Sequence, residues 1–426
     1  MAASLIHRIQ SHFPLPVGIE LQVTTESSLA GNMNEISEVE GSRSADTFAR
    51  LFGDSLDDLL DAGSWTPGAD LANTYARLER ETRMAVDRER RVTDTIREKL
   101  FPRIEASALA GPESGVYGAT PAQISRVHNG LLLNGNVEAC AGISMKHDSI
   151  AMTFVQIGVC LVAYQGDQQA WSQRMFRRDY RADGVDRITE MLSVLDKRSS
   201  NRDGESALDR ISRLARRGIQ AYAERMFLTR NSSARWRMCE GMPVPFELVS
   251  GAGLLRPGKS GMNYPLMGAG MEILRELLLK HRRFVFVPRR ARDGALLTIG
   301  EALAPLEYAV IDTISDQIEA VERTGHYDDR QRKVIERFRR DVGKVVVRGV
   351  FRASSMGPPQ IFYAHRDHIH GAALIALADS VLQEQRSYPI LLDLARTVCE
   401  TTFGIDSFAP QLRVAYTDAG EPWSAI

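Results

Sequence analysis

Three runs of strand-forming residues follow one another within residues 137–180, and no other feature of the chain constrains its fold as strongly. Val137–Ala141, Ser149–Tyr164 and Arg174–Tyr180 read as successive strands of a meander, with Gln165-Gly166-Asp167 as the turn after the second. Helical and strand-like segments alternate beyond them. A helix is expected over Asp186–Leu228, with a polar break at Ser199–Glu205. Strand character follows at Arg235–Met238 and Phe246–Val249, a helix at Met271–His281 and a strand at Phe284–Pro288. Leu306–Thr313, Val345–Phe351 and Gln360–His365 read as strands; Arg330–Asp341, Ala372–Gln385 and Pro389–Phe403 read as helices. A meander followed by such alternation predicts an α/β domain with a mixed sheet.

Residues 1–110 read differently. Leu71–Ile104 carries spaced apolar positions (Leu78, Met84, Val86, Val92, Ile96, Leu100) in a highly charged background, the pattern of a long amphipathic helix broken at most once. Pro102 and the Gly111-Pro112 turn are expected to end it, and Glu26–Ser42 reads as loop. Two domains follow: a helical region over 1–110, whose exposed helix reads as packing or partner surface, and the α/β domain over 111–426.

A formal net charge of −1 gives the molecule no global attraction to polyanions, so any nucleic-acid surface must be a local patch. Two arginine clusters could supply one: Arg174, Arg177, Arg178 and Arg181, and, at helical spacing, Arg210, Arg213, Arg216 and Arg217. A solvated face paired with nearby acids gives the same pattern. Cys140, Cys160, Cys239 and Cys399 form no CxxC pair, which argues against a zinc or disulfide framework. With no apolar run of about 18 residues and no signal-peptide pattern at the N-terminus, the chain reads as cytoplasmic, with no membrane partner.

Three acids stand out by their surroundings. Glu224 is alone beside the apolar helical stripe Ile219, Tyr222, Met226 and Phe227; Glu247 interrupts the apolar run Val244–Val249; Asp393 lies near the first turn of an apolar helix. Acids converging from separate elements are what phosphodiester hydrolysis with two cations needs, and Mg²⁺ or Mn²⁺ would be bound through oxygen. Solvent exposure, pairing with Arg217 or Arg225, and helix-dipole stabilisation account equally for acids in such places. The cluster His365-Arg-Asp-His368-Ile-His370 matches no metalloprotease motif and reads as a strand-to-helix junction that caps a helix or contacts phosphate. Gly253–Ser260 fits the phosphate-loop pattern letter for letter, but Pro265 would break the helix such a loop must open.

On these residues the chain, over roughly 115–405, resembles NurA-type nucleases, which have an RNase H-like fold related to that of Argonaute PIWI domains. Val137-Glu-Ala-Cys-Ala-Gly142 resembles the family's first-strand motif, which normally ends in Asp-Gly. Ala221–Leu228 resembles the helix carrying the family's Glu, at Glu224, and Pro245–Gly251 the strand carrying its next acid, at Glu247. The helix over 372–385 and Arg386–Val398 resemble the terminal helix pair with its Tyr-Pro link. The resemblance implies an RNase H-like mixed sheet with flanking helices and a helical N-terminal extension. It also implies a DNase using Mg²⁺ or Mn²⁺ through a two-metal mechanism, and a homodimer working with a HerA-type hexameric ATPase in DNA end processing or anti-phage defence. Ala141, where the family has its first Asp, implies that this chain is catalytically dead, through natural loss or through substitution of an Asp. The family's last catalytic residue, a His, falls near Arg396, with Asp393 as the expected replacement ligand. The expected set is Ala141, Glu224, Glu247 and Asp393 at the catalytic centre, the three acids binding metal, and Arg177, Arg178, Arg213, Arg217, His365, His368 and Arg396 contacting DNA. A naturally non-catalytic DNA-binding or assembly subunit of an ATPase complex is the alternative. An Argonaute-like guide-binding protein would need more domains than this length allows.

Overall fold

Cys140 and Ala141 are neighbours in the chain but belong to different hydrophobic cores. That alternation, set by the two-residue period of a strand, organises the molecule: one sheet separates two cores, and helices cover both faces. The computed structural model describes residues 47–65, 71–148, 153–177, 213–250, 264–289, 293–325, 327 and 329–420. The chain divides into two compact units, Met1–Val92 and Thr93–Ile426.

In the first unit, α1 (Leu56–Leu60) is capped by Ser55, whose hydroxyl accepts from the Asp57 amide. Arg77 pairs with Asp54 at 2.9 Å, and Leu51, Phe52, Leu60 and Trp65 are exposed. The long helix α2 runs Leu71–Lys99. It ends within the second unit, where the expected break falls at Leu100 and Pro102, expected to end the helix, instead opens α3 (Phe101–Ser107), where a missing amide is tolerated.

In the second unit, β1 (Gly115–Gly118) and α4 (Pro121–Val127) precede the expected meander. This is β2 (Val137–Asp148), β3 (Thr153–Val162) and β4 (Gln169–Arg177). Next come α5 (Arg213–Arg230), β5 (Trp236–Glu240), α6 (Phe246–Val249), α7 (Tyr264–Arg275) and β6 (Phe284–Val287). The C-terminal half holds α8 (Gly294–Glu301), β7 (Glu307–Thr313), α9 (Ser315–Thr324), α10 (Asp329–Val342), β8 (Val346–Arg352) and β9 (Gln360–His365). It ends with α11 (Ile369–Val381), α12 (Ile390–Phe403) and α13 (Ile405–Asp418).

The described strands form one sheet in the order β1-β7-β8-β9-β6-β5-β2-β3-β4. β2, β3 and β4 are antiparallel, as the meander requires, whereas β2–β5 and β5–β6 are parallel. Parallel neighbours need crossover connections, and α5 and α7 lie in those connections. The mixed sheet with helices on both faces agrees with the fold expected from the sequence. β1, α4, α8, α9 and α13 were not expected, and one expected element is of the other type. Phe246–Val249 is a helical turn and not a strand, because Pro245 sets an extended residue at its start and the segment packs against α5 and α7.

α5 and α7 supply Ala221, Leu228, Met267, Met271 and Leu274 to the core containing Cys140 and Cys239. α12 supplies Leu391, Ala395, Cys399 and Phe403 to the core containing Ala139, Ala141 and Cys160. It comes so close that a Cβ on Gly158 would lie 2.2 Å from the Phe403 ring. A buried carboxyl fixes where α12 starts. Asp379 of α11, with no exposed surface, accepts from the Leu391 amide at 2.9 Å and from the Tyr164 hydroxyl at 2.5 Å. Burial pushes its pKa up from 3.8 to about 6.

The folded state therefore holds this proton more tightly than the unfolded chain does. The stability it contributes is complete below pH 3.8 and lost as pH rises through about 6. Asp379→Asn is expected to flatten that part of the pH profile, worth about 3 kcal/mol across the window. Denaturant unfolding of both proteins between pH 4 and pH 7 checks this, and equal slopes would contradict it.

Candidate functional site

The ladder between β2 and β5 ends with Cys140 opposite Cys239, so Ala141 and Glu240 are the next residues out on adjacent parallel strands. Strand alternation turns both toward the face covered by α12. Arg289 lies two residues beyond the end of β6, the third parallel strand. These positions share the carboxyl ends of the parallel strands, where open α/β sheets place their ligands.

Glu224 approaches from α5, on the other face. A Cβ on Gly142 would lie 2.7 Å from Glu224 Oε1 and 2.9 Å from its Cγ, so the glycine after Ala141 makes room for this acid. Gln220 donates through Nε2 to the Gly142 carbonyl at 2.8 Å and to Glu224 Oε1 at 2.9 Å; Arg225 donates to Oε2 at 2.6 Å. Burial raises the Glu224 carboxyl above its ordinary range and the charge of Glu240 adds to this, while Arg225 and Gln220 oppose it.

The remaining acids are enclosed by guanidinium groups. Arg396 Nη1 stands 3.4 Å from each Glu240 oxygen, and Arg289 Nε lies 3.5 Å from Oε2. Arg289 also pairs with Asp393, whose second oxygen accepts from Arg386 at 3.1 Å. Arg396 donates onward to Glu400 at 2.8 Å. Arg289 thus joins Glu240 to Asp393, and Arg396 joins Glu240 to Glu400.

Glu247 is placed elsewhere. It sits in α6 and pairs with Arg217, and its carbonyl lies 3.1 Å from where a Cβ on Gly218 would be. Gly218 precedes Glu224 by six residues on α5, about 9 Å along the helix axis. Glu240 is the acid that sequence reasoning missed. Its signal was available, since Cys239-Glu-Gly241 repeats Cys140-Ala-Gly142 at the matching strand end.

The histidine cluster lies at the opposite ends of these strands, because β9 runs antiparallel to β6 and ends beside its start. His365 is buried and its Nδ1 accepts from the Asp367 amide at 3.1 Å, the capping role expected at a strand-to-helix junction. The ring centroids of His365 and His368 are 6.2 Å apart, and burial lowers both pKa values. His370 bonds Glu113 at 2.8 Å and the Tyr308 hydroxyl at 2.9 Å. Arg178 and the Gly253–Ser260 loop lie outside the described residues, as do the side chains of Arg177 and Arg213.

A divalent cation does not fit these side chains as they stand. Among the described residues no three His, Cys, Asp or Glu side chains converge to hold one. Glu224, Glu240 and Asp393 are each countered by arginine, and the corner between Glu224 and Glu240 is an alanine.

No protein-family model matches the chain, and no curated protein matches it. Among solved structures it is similar to the NurA nuclease from Sulfolobus solfataricus, at 8% identity over 84% of this chain and 99% of that one, TM-score 0.44. A NurA bound to dAMP and manganese matches at 8% identity, 75% and 92% coverage and TM-score 0.39. A Ciona intestinalis endonuclease V variant, in complex with inosine-containing DNA, matches at 10% identity, 65% and 95% coverage and TM-score 0.24. No helix among the described residues is long and apolar enough to cross a membrane.

Gly142→Ala is expected to destabilise the protein by about 1–3 kcal/mol, because the added methyl meets a carboxylate pinned by Gln220 and Arg225. The same substitution made in a Glu224→Ala background should be well tolerated. A double-mutant cycle of unfolding free energies reads the coupling, and zero coupling would contradict the packing.

Proposed function

We propose that this chain is a catalytically silent relative of metal-dependent DNases. The reading is that it keeps the architecture of a carboxylate site for phosphodiester hydrolysis and has lost the residue that completes it. The observation that carries this is the meeting of Glu224 and Glu240 around Ala141, with Gly142 keeping space for the Glu224 carboxylate. An acid at position 141 would share the face of Glu240 and complete a three-carboxylate set able to hold Mg²⁺ or Mn²⁺. In its absence the arginines neutralise the acids that remain. In this reading Glu240 takes the place first assigned to Glu247, and Asp393 belongs to the ion-pair network rather than to a metal.

The motif resemblance to NurA-type nucleases supports DNA as the polymer engaged, and a homodimer docked on a HerA-type hexameric ATPase as the assembly. DNA end processing and anti-phage defence both suit such an assembly. The chain then acts as its DNA-binding or scaffolding subunit.

The native chain, supplied with Mn²⁺ or Mg²⁺ and its ATPase, is expected to leave single- and double-stranded DNA intact. Ala141→Asp is expected to confer metal-dependent cleavage. Cleavage by the native chain, or a metal-loaded and assembled Ala141→Asp protein that stays inert, would refute the proposal. Partner contacts are assigned to the helical region over 1–110, of which residues 1–92 lie outside the second compact unit. Removing them should abolish co-purification with the ATPase while leaving the α/β unit folded; undiminished co-purification would overturn that assignment.

A further inference from the structure

Beside the ion-pair network lies an open cavity of about 320 Å³, lined by Arg289, Arg386, Asp393, Tyr388, Gln360 and Gln385. Its volume is at the lower end of the range for small-molecule sites, about 300–1,000 Å³. Two guanidinium groups and one carboxylate line it, and Arg289 also reaches Glu240 at 3.5 Å. Asp393 bonds one guanidinium through each oxygen, which is how a bound anion would engage the pair.

The donors around it are only partly used. Arg289 Nε has no hydrogen bond among the described residues, and lies 3.5 Å from Glu240. The Arg386 side chain is 67% exposed beyond its pairing with Asp393. Gln360 Nε2 makes two long contacts of 3.4 Å to the carbonyls of Pro358 and Arg386. Arg289 is positioned from behind by the Tyr388 ring, whose centroid lies 5.3 Å from its Cζ, and Tyr388 is anchored by donating to the Val287 carbonyl at 3.2 Å. The site therefore has one half-buried and one exposed guanidinium, held together by an acid belonging to the protein itself.

We propose that this cavity is a phosphate-binding site, in which a phosphate group replaces Asp393 as the anion bridging Arg289 and Arg386. A phosphate offers at least three oxygens where Asp393 offers two, so it can take the bonds now made to the carboxylate and keep an oxygen for Gln360 or solvent. Asp393 is then an internal competitor that sets the threshold for binding. The phosphate is either free in solution or the terminal group of a nucleic-acid strand. The inference does not depend on the nuclease ancestry proposed above, because it concerns anion binding and needs no metal.

Isothermal titration at low salt tests it with three probes: inorganic phosphate, a single-stranded oligonucleotide bearing a 5′-phosphate, and the same oligonucleotide without it. At least one of the two phosphate-bearing probes is expected to bind more tightly than the unphosphorylated strand. Binding of inorganic phosphate identifies a free anion as sufficient; binding of the 5′-phosphorylated strand alone identifies a strand end. For that probe Arg386→Ala, an exposed change that leaves the core untouched, should weaken binding roughly tenfold or more, as expected for loss of a charge-assisted contact. Asp393→Asn, nearly the same shape without the competing charge, should tighten it several-fold. Absence of binding by all three probes, equal binding of the two oligonucleotides with none of inorganic phosphate, or an affinity unchanged in either variant would overturn the proposal. The nuclease reading is tested separately by metal-dependent cleavage, so either can fail without the other.

Discussion

A short parallel ladder between β2 and β5, from Val137 opposite Trp236 to Cys140 opposite Cys239, determines where everything else in the site can be. Parallel neighbours cannot be joined by a hairpin. The chain must leave the meander at β4, cross the sheet and return, and α5 lies on that path. The crossover places Glu224 against β2, and the return along β5 places Glu240 beside Ala141. The same ladder sends Cys140 and Cys239 into the core under α5 and α7, while Ala139, Ala141 and Met238 enter the core under α12. Shifting the register by one residue would exchange these faces throughout. It would carry Glu240 away from Arg396 and drive Cys140 into α12.

Electrostatics then fixes what the site can do. Acids gathered at this corner lose hydration and, to a lesser degree, repel one another, as the raised pKa of Glu224 reflects. Two remedies are available in such a place, a bound cation or built-in guanidinium groups. This chain uses the second, with Arg225 on Glu224, Arg289 and Arg396 on Glu240, and Arg289 and Arg386 on Asp393. Ion pairs of this kind add little net stability when exposed, but removing one partner leaves the other charge uncompensated. The network therefore persists as a unit.

Much of the architecture was legible in the sequence, because strand patterns and their order dictate a mixed sheet. The meander, the helix expected to end at Leu228 and found over Arg213–Arg230, the strand at 284–287 and the helices α11 and α12 follow from periodicity and turn signals, whereas α13 was not expected. Phe246–Val249 misled because four apolar residues with one acid suit a strand as well as a buried helical turn, and only the position of Pro245 and the packing on α5 decide. Glu224 was legible as a lone acid beside an apolar stripe, and Asp393 as an acid in a helix's first turn. Arg289 as the group joining Glu240 to Asp393 was not legible, since their contact depends on how closely α12 approaches the sheet. Glu240 could have been found by comparing the two strand ends, Cys140-Ala-Gly142 and Cys239-Glu-Gly241, once a parallel pairing of those strands was supposed.

The central proposal is that an acid at position 141 completes, with Glu224 and Glu240, a carboxylate set able to hold a metal. A crystal of the Ala141→Asp protein soaked in Mn²⁺ tests it directly through anomalous scattering. The account predicts a peak coordinated by residue 141, Glu224 and Glu240, and none in an identically soaked native crystal. A peak at those residues in the native protein, or no peak there in the fully soaked variant, would contradict it.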